Sequence, residues 1–158
     1  MVRLLFALTL TLKIYGTLGA NTTIMVHLVQ KTFTDQAVNA AAGDVVQFIS
    51  LNPRSPFRVI QTSFSEPCRP LQNGFDSGSI FGTAPYTVNV TSLDPIWFYE
   101  DGLCADGMVG AINAPTTGDT FDAFIAAAWT NYLDVRIRTE RRFFAVIHYI
   151  YYNIGNLN

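Results

Sequence analysis

From Ile24 to Asn113 the apolar positions fall in short runs that alternate with polar ones, and the runs are cut by Gly, Pro, Asn and Asp. In "VVQFIS", residues 45–50, Val46 and Phe48 take one side of an extended chain and Gln47 the other, the period of a half-buried strand. Runs of this kind predict seven strands: "TIMVHLVQKTF", "AVNAA", "VVQFISL", "FRVIQTS", "PYTVNVT", "PIWFYE" and "GMVGAIN". Short and rich in β-branched and aromatic residues, they suit two sheets joined in a Greek key. The joints have physical causes. Gly43-Asp44 supplies a turn, the two prolines of "NPRSP" cannot continue a central strand, and Asn73-Gly74 is the strongest turn signal in "PLQNGFDSGSIFGTAP". That long segment is expected to loop over one end of the sandwich.

After Pro115 the period changes. Phe121, Phe124, Ile125, Ala128 and Trp129 recur at helical spacing among alanines, with Thr117 or Asp119 available as an N-cap. A C-terminal helix over residues 116–133 is expected, its aromatic stripe packed on the sandwich. The expected fold is therefore all-β, a sandwich of about seven strands over residues 21–115, followed by that helix and an irregular segment, 134–158.

The first twenty residues are set apart from this fold. "MVRLLFALTLTLKIYGTLGA" carries Arg3, an apolar run and small residues around Ala20, as a secretory signal peptide (1–20) does. A membrane anchor is the alternative, but the run is short for a span and Lys13 interrupts it. Removing Arg3 and Lys13 leaves 8 basic against 12 acidic residues, so the formal charge becomes 8 − 12 = −4. Such a surface repels a phosphate backbone, and no nucleic-acid partner is expected. The two cysteines, Cys68 and Cys104, are in an exported chain most simply a disulfide. "NTT" at Asn21 and "NVT" at Asn89 are N-glycosylation acceptors, which place both positions on the surface.

"AAGDVVQF", "FRVIQTSFSEPCRPL", "GFDSGS" and "PIWFY" followed by "CADGMVGAIN" together resemble the fungal extracellular cupredoxin-like proteins, relatives of plastocyanin and the phytocyanins. The resemblance covers roughly residues 22 to 130. It implies a cupredoxin-like fold and, at the family level, copper as cofactor: one mid-chain histidine, then Cys, His and a weak axial Met from the loop between the last two strands. Carried over residue by residue, the first histidine falls on Phe57, the cysteine on Glu100 and the second histidine on Leu103; Met108 alone matches. None of the three replacements is an imidazole or thiolate donor. In the resemblance Cys104 matches the disulfide cysteine that pairs with the one at Cys68. The expectation is a sandwich that keeps the architecture of a copper site and has lost its ligands.

Other chemistry is weaker. His27 lies in the first strand and His148 in the C-terminal segment, neither at the ligand end by the family's pattern. Glu100, Asp101 and Asp106 crowd one loop, but solvated acids are expected there, without the regular spacing of a calcium loop. No nucleophile elbow, P-loop or zinc spacing is present, and no catalytic residue is assigned. "IWFY" is expected to be core, with Trp97 and Tyr99 on one face and Phe98 on the other, although the same rings would suit a sugar. "RIRTERRFFAVIHYIYYNIGNLN" joins a basic cluster to an aromatic run too short for a span. An irregular or incorrectly delimited terminus, a packed segment and a membrane-associated tail all remain open for it. The functional expectation is a secreted, non-enzymatic protein of the fungal surface, without a working type-1 copper site. Its partner would be a cell-wall polysaccharide or a surface protein. A copper-dependent electron carrier and a carbohydrate-binding wall protein are the alternatives.

Overall fold

The computed structural model describes residues 19–130. Eight strands form two four-stranded sheets. The first, in order β2-β1-β4-β6, contains β1 (Asn21–His27), β2 (Thr32–Phe33), β4 (Val45–Ser50) and β6 (Tyr86–Asn89). The second, in order β3-β8-β7-β5, contains β3 (Ala37–Val38), β5 (Val59–Thr62), β7 (Ile96–Glu100) and β8 (Val109–Ile112). Both are mixed: β1 runs parallel to β4 and β3 parallel to β8, while the other pairs are antiparallel. The extra strand arises where a single one was expected. "TIMVHLVQKTF" breaks at residues 28–31, where Lys31 takes a left-handed φ of 55°, and folds back so that Val26 pairs with Phe33.

Alternation decides what each strand buries. Ile24, Val26, Val46, Phe48 and Val88 point from the first sheet into the space between the sheets, where they meet Phe98 from β7. Phe98 packs edge-to-face against Phe33 and Phe48, with centroids 5.2 and 5.0 Å away, a geometry that places ring edges on ring faces. It reaches that position because its partner across the ladder is Gly110, at which a Cβ would fall inside the Phe98 ring. The neighbours of Phe98 on β7, Trp97 and Tyr99, face the other way.

A helix, α1 (residues 121–130 among those described), covers that outer face of the second sheet. Phe124 and Ala128 are fully buried against Trp97, Tyr99, Val109 and Ala111. The helix begins later than the sequence suggests. Neither Thr117 nor Asp119 caps it; Thr120 Oγ1 accepts the Ala123 N–H instead (3.3 Å), and Thr120 O accepts the Phe124 N–H. Trp129, expected in the packed stripe, stays 46% exposed and lays its indole over Gly107.

The long segment after β5 also differs from expectation. Rather than closing one end, residues 70–85 turn at Asn73 (φ 63°) and run back beside β5, with bridges from Ile60 to Asp76 and from Phe57 to Ile80. "GFDSGS" thereby becomes an edge cover: Ser77 donates its N–H to Val59 O, and its Oγ accepts the Val59 N–H. Such a cover removes the unpaired edge β5 would otherwise present. The signal peptide assigned to residues 1–20 and the segment 134–158, with His148, lie largely or wholly outside the described residues.

Candidate metal centre

The four positions matched to copper ligands come together at one end of the sandwich, where β5 starts and β7 turns into β8. Val59 pairs with Glu100 in the β5–β7 ladder, which brings Phe57 and Arg58 alongside the turn. Between the last two strands the chain makes a compact 3-10 turn, Cys104–Asp106. Leu103 N–H donates to Glu100 O, Gly107 N–H to Cys104 O, and Met108 N–H to Leu103 O. Gly107 closes the turn with φ 87°, a left-handed conformation suited to glycine. A disulfide joins Cys104 to Cys68, tying this turn to the loop after β5 and engaging both thiols.

The chemistry at this end is apolar. Phe57 and Met108 are almost completely buried members of the main core, and Leu103 packs against it. Glu100 is also buried, and its carboxylate is occupied by the backbone: Oε2 accepts the Gly102 N–H at 2.8 Å and Oε1 the Arg58 N–H at 3.3 Å. Burial raises the Glu100 pKa above its ordinary value, more than the backbone N–H groups of Arg58 and Leu103 lower it. A phenyl ring, a carboxyl held by amides, an isobutyl group and one thioether do not fit the soft, trigonal donor set that Cu(II) requires in such a site. Copper is therefore not accommodated by these residues in the family's manner.

The acids of the loop do not converge. Asp101 pairs with Arg58 (3.0 Å) and Asp106 with Lys31 (2.9 Å), while Glu100 points inward. Among the described residues no three His, Cys, Asp or Glu side chains gather as a metal site. Sequence reasoning missed Arg58, which grips Asp76 through two hydrogen bonds as well as reaching Asp101. That grip, together with the Gly78 N–H, holds the Asp76 carboxyl down at about 2 and raises the Arg58 guanidinium further. The only signal for this clasp was the "FDSGS" motif, whose charge partner is distant in sequence. His27 closes β1, and the turn that follows it meets the β7–β8 turn through the Lys31–Asp106 pair. Strand alternation nevertheless directs its side chain to the outer face of the first sheet, opposite Ile24 and Val26.

The two mixed sheets, the edge-covering segment and the disulfide-tied turn define a cupredoxin-like β-sandwich with a C-terminal helix. Over 99 residues the chain is 35% identical to the probable GPI-anchored cupredoxin-1 of the fungus Arthroderma benhamiae. That match covers 61% of this chain and 52% of the relative, so the chain spans about half the length of the curated relative it matches. The chain resembles fungal extracellular cupredoxin-like proteins, as its motifs indicate. No family model matches it. Similar solved structures include a purple cupredoxin from Nitrosopumilus maritimus (TM-score 0.49, 9% identity, 58% of this chain and 96% of that one). A mutant fern plastocyanin is also similar (TM-score 0.45, 14% identity, 58% and 97%).

Proposed function

We propose that this is a secreted, cell-surface protein that uses a cupredoxin-like sandwich as a non-enzymatic structural or binding scaffold, without a type-1 copper centre. The observation that carries this reading is the replacement of the ligand set. Phe57, Leu103 and Met108 belong to or pack against the core, and the carboxylate at Glu100 is taken up by two backbone amides. Filling a metal cavity with apolar side chains turns binding energy that a metal would have supplied into packing energy that is present at all times. The extracellular setting is supported by the disulfide, by the N-terminal sequence and by the fungal relative, which is named as GPI-anchored.

A copper-dependent electron carrier is the competing reading, and the donor chemistry argues against it. The sugar platform considered for "IWFY" loses its surface, because Trp97, Phe98 and Tyr99 are all buried. Calorimetric titration of the protein, secreted from a eukaryotic host, with Cu(II) tests the proposal. The expected result is no saturable heat at micromolar concentrations. A one-to-one isotherm abolished by Met108→Ala would reinstate the copper reading.

A further inference from the structure

The edges of the two sheets are not equally protected. Residues 70–85 cover β5, while β2 and β3, the outer strands on the opposite side, have two residues each and offer little to pair with. β6 ends the first sheet with four residues, Tyr86–Asn89, and carries neither Lys nor Pro. Its neighbours fix which of its backbone groups point outward. Val45 gives its N–H to Ala20 O on the β1 side, so Asn89 opposite it receives no bond from there, whereas Val90 exchanges bonds with Gly43 and Asp44 (both 2.8 Å). By the alternation of an antiparallel ladder, Thr87 and Asn89 turn their N–H and C=O away from β4. Among the described residues no turn or loop backbone takes these groups up.

Beside this edge lies a cleft of about 470 Å³, within the roughly 300–1,000 Å³ of ligand sites. Its walls include Phe75, Tyr86 and Ile96, half-buried side chains that pack against the core and leave an apolar surface in the cleft. Asp94, which accepts a hydrogen bond from Ser92 Oγ (2.9 Å), is the one charged residue of the lining. We propose that β6 takes up an extended peptide of a partner protein as a further strand of the first sheet, with alternate apolar side chains over Phe75 and Ile96 and a basic residue beside Asp94. Main-chain bonds to Thr87 and Asn89 supply affinity, and the apolar wall and the lone carboxylate supply selectivity. At roughly 3.3 Å per residue, β6 is matched by a peptide of about five residues. The cleft favours a lone strand over a second copy of this chain, because another β6 brings its own β4 and cleft wall with it, while a single strand has nothing behind it. The inference adds a partner class to the scaffold reading and is independent of the ligand end: copper binding there would overturn that reading and leave this one standing.

The test uses the full chain secreted from a eukaryotic host and, as probe, a fluorescent peptide that alternates valine and threonine and ends in lysine. Anisotropy reads binding, and hydrogen exchange of residues 86–92 reads the site. The expected result is saturable binding below millimolar concentration, with exchange of that segment slowed at least tenfold. N-methylating the peptide at alternate residues, which removes the N–H groups facing β6, should weaken binding at least tenfold, and methylating the intervening residues should not. Thr87→Pro, which removes one outward N–H and no bond to β4, should do the same with the fold intact by thermal melting. Asp94→Asn should weaken the lysine peptide about threefold, the scale of an exposed ion pair, and leave an uncharged peptide unchanged. Absence of saturable binding, or binding indifferent to both N-methylation patterns, overturns the proposal. So does binding seen only in Asn89→Gln, which would mean that a glycan closes the edge, and so does a dimer in sedimentation that Thr87→Pro dissociates, which would assign the edge to a second copy.

Discussion

Truncating Phe57 distinguishes a filled ligand end from a vacant one. Phe57 is 1% exposed, and its backbone is fixed on both sides by hydrogen bonds to Ile80 (3.1 and 2.9 Å), so the chain cannot easily collapse into the space the ring leaves. Phe→Ala in such a site removes the transfer energy of the ring and leaves a cavity, about 3–5 kcal/mol in all. Against a total of about 5–15 kcal/mol for a small domain, that is a large share. Urea unfolding of the oxidised protein, followed by tryptophan fluorescence, gives both midpoint and slope. The midpoint of Phe57→Ala should fall accordingly while the slope stays constant, because the surface exposed on unfolding hardly changes. The same melts with Cu(II) or with chelator should superimpose for the unsubstituted protein. A resident copper site at a thousandfold excess over its Kd would instead add about 4.1 kcal/mol. A loss under about 1 kcal/mol, or a copper-dependent midpoint, would refute the idea that packing has taken over the ligand end.

Glu100 gives a pH signature. Its folded pKa lies above the ordinary 4.5, so its favourable contribution is complete below that pH and is lost as pH rises through the folded value. The stability of Glu100→Gln relative to the unsubstituted protein should therefore climb from pH 4 towards neutrality in pH-dependent urea melts; a flat difference would contradict the burial argument. Asp76 acts in the opposite direction and is common to both proteins: its stabilisation is lost as pH falls from 3.8 to about 2. Gly110→Ala forces a methyl into the Phe98 ring and should cost about 1–3 kcal/mol by overpacking, partly relieved by adding Phe98→Leu, as a double-mutant cycle would measure. Replacing Cys68 and Cys104 by alanine opens a 36-residue separation and should cost about 3–4 kcal/mol in the chain-entropy picture, read as a lower urea midpoint; an unchanged midpoint would argue that the crosslink is not formed.

Much of the fold was legible because burial obeys strand period. Val46 and Phe48 against Gln47, and Trp97 and Tyr99 against Phe98, fall on the sides that alternation assigns. What escaped was set by tertiary contacts. The break at Lys31 follows no glycine or proline and is specified by the return pairing of Phe33 with Val26. The segment 70–85 reads as a turn-rich loop, yet its place beside β5 depends on bridges between residues far apart in sequence. The cap fell to Thr120 rather than Thr117 or Asp119, since all three offer a side-chain oxygen within the same short stretch and the sequence alone does not choose among them. At the candidate site, the substitutions at Phe57, Glu100 and Leu103 were visible in sequence, whereas the two amides that satisfy Glu100 and the Arg58 clasp depend on the folded register.

The visible absorption spectrum of the secreted protein after addition of Cu(II) tests the central claim most directly. With Phe57, Glu100 and Leu103 at the ligand positions and both cysteines in the disulfide, no thiolate is available for charge transfer, and the solution should show no blue or purple band. An intense thiolate-to-copper band would mean that a cysteine is free and ligating, and the account of a packed, copper-free ligand end would fail.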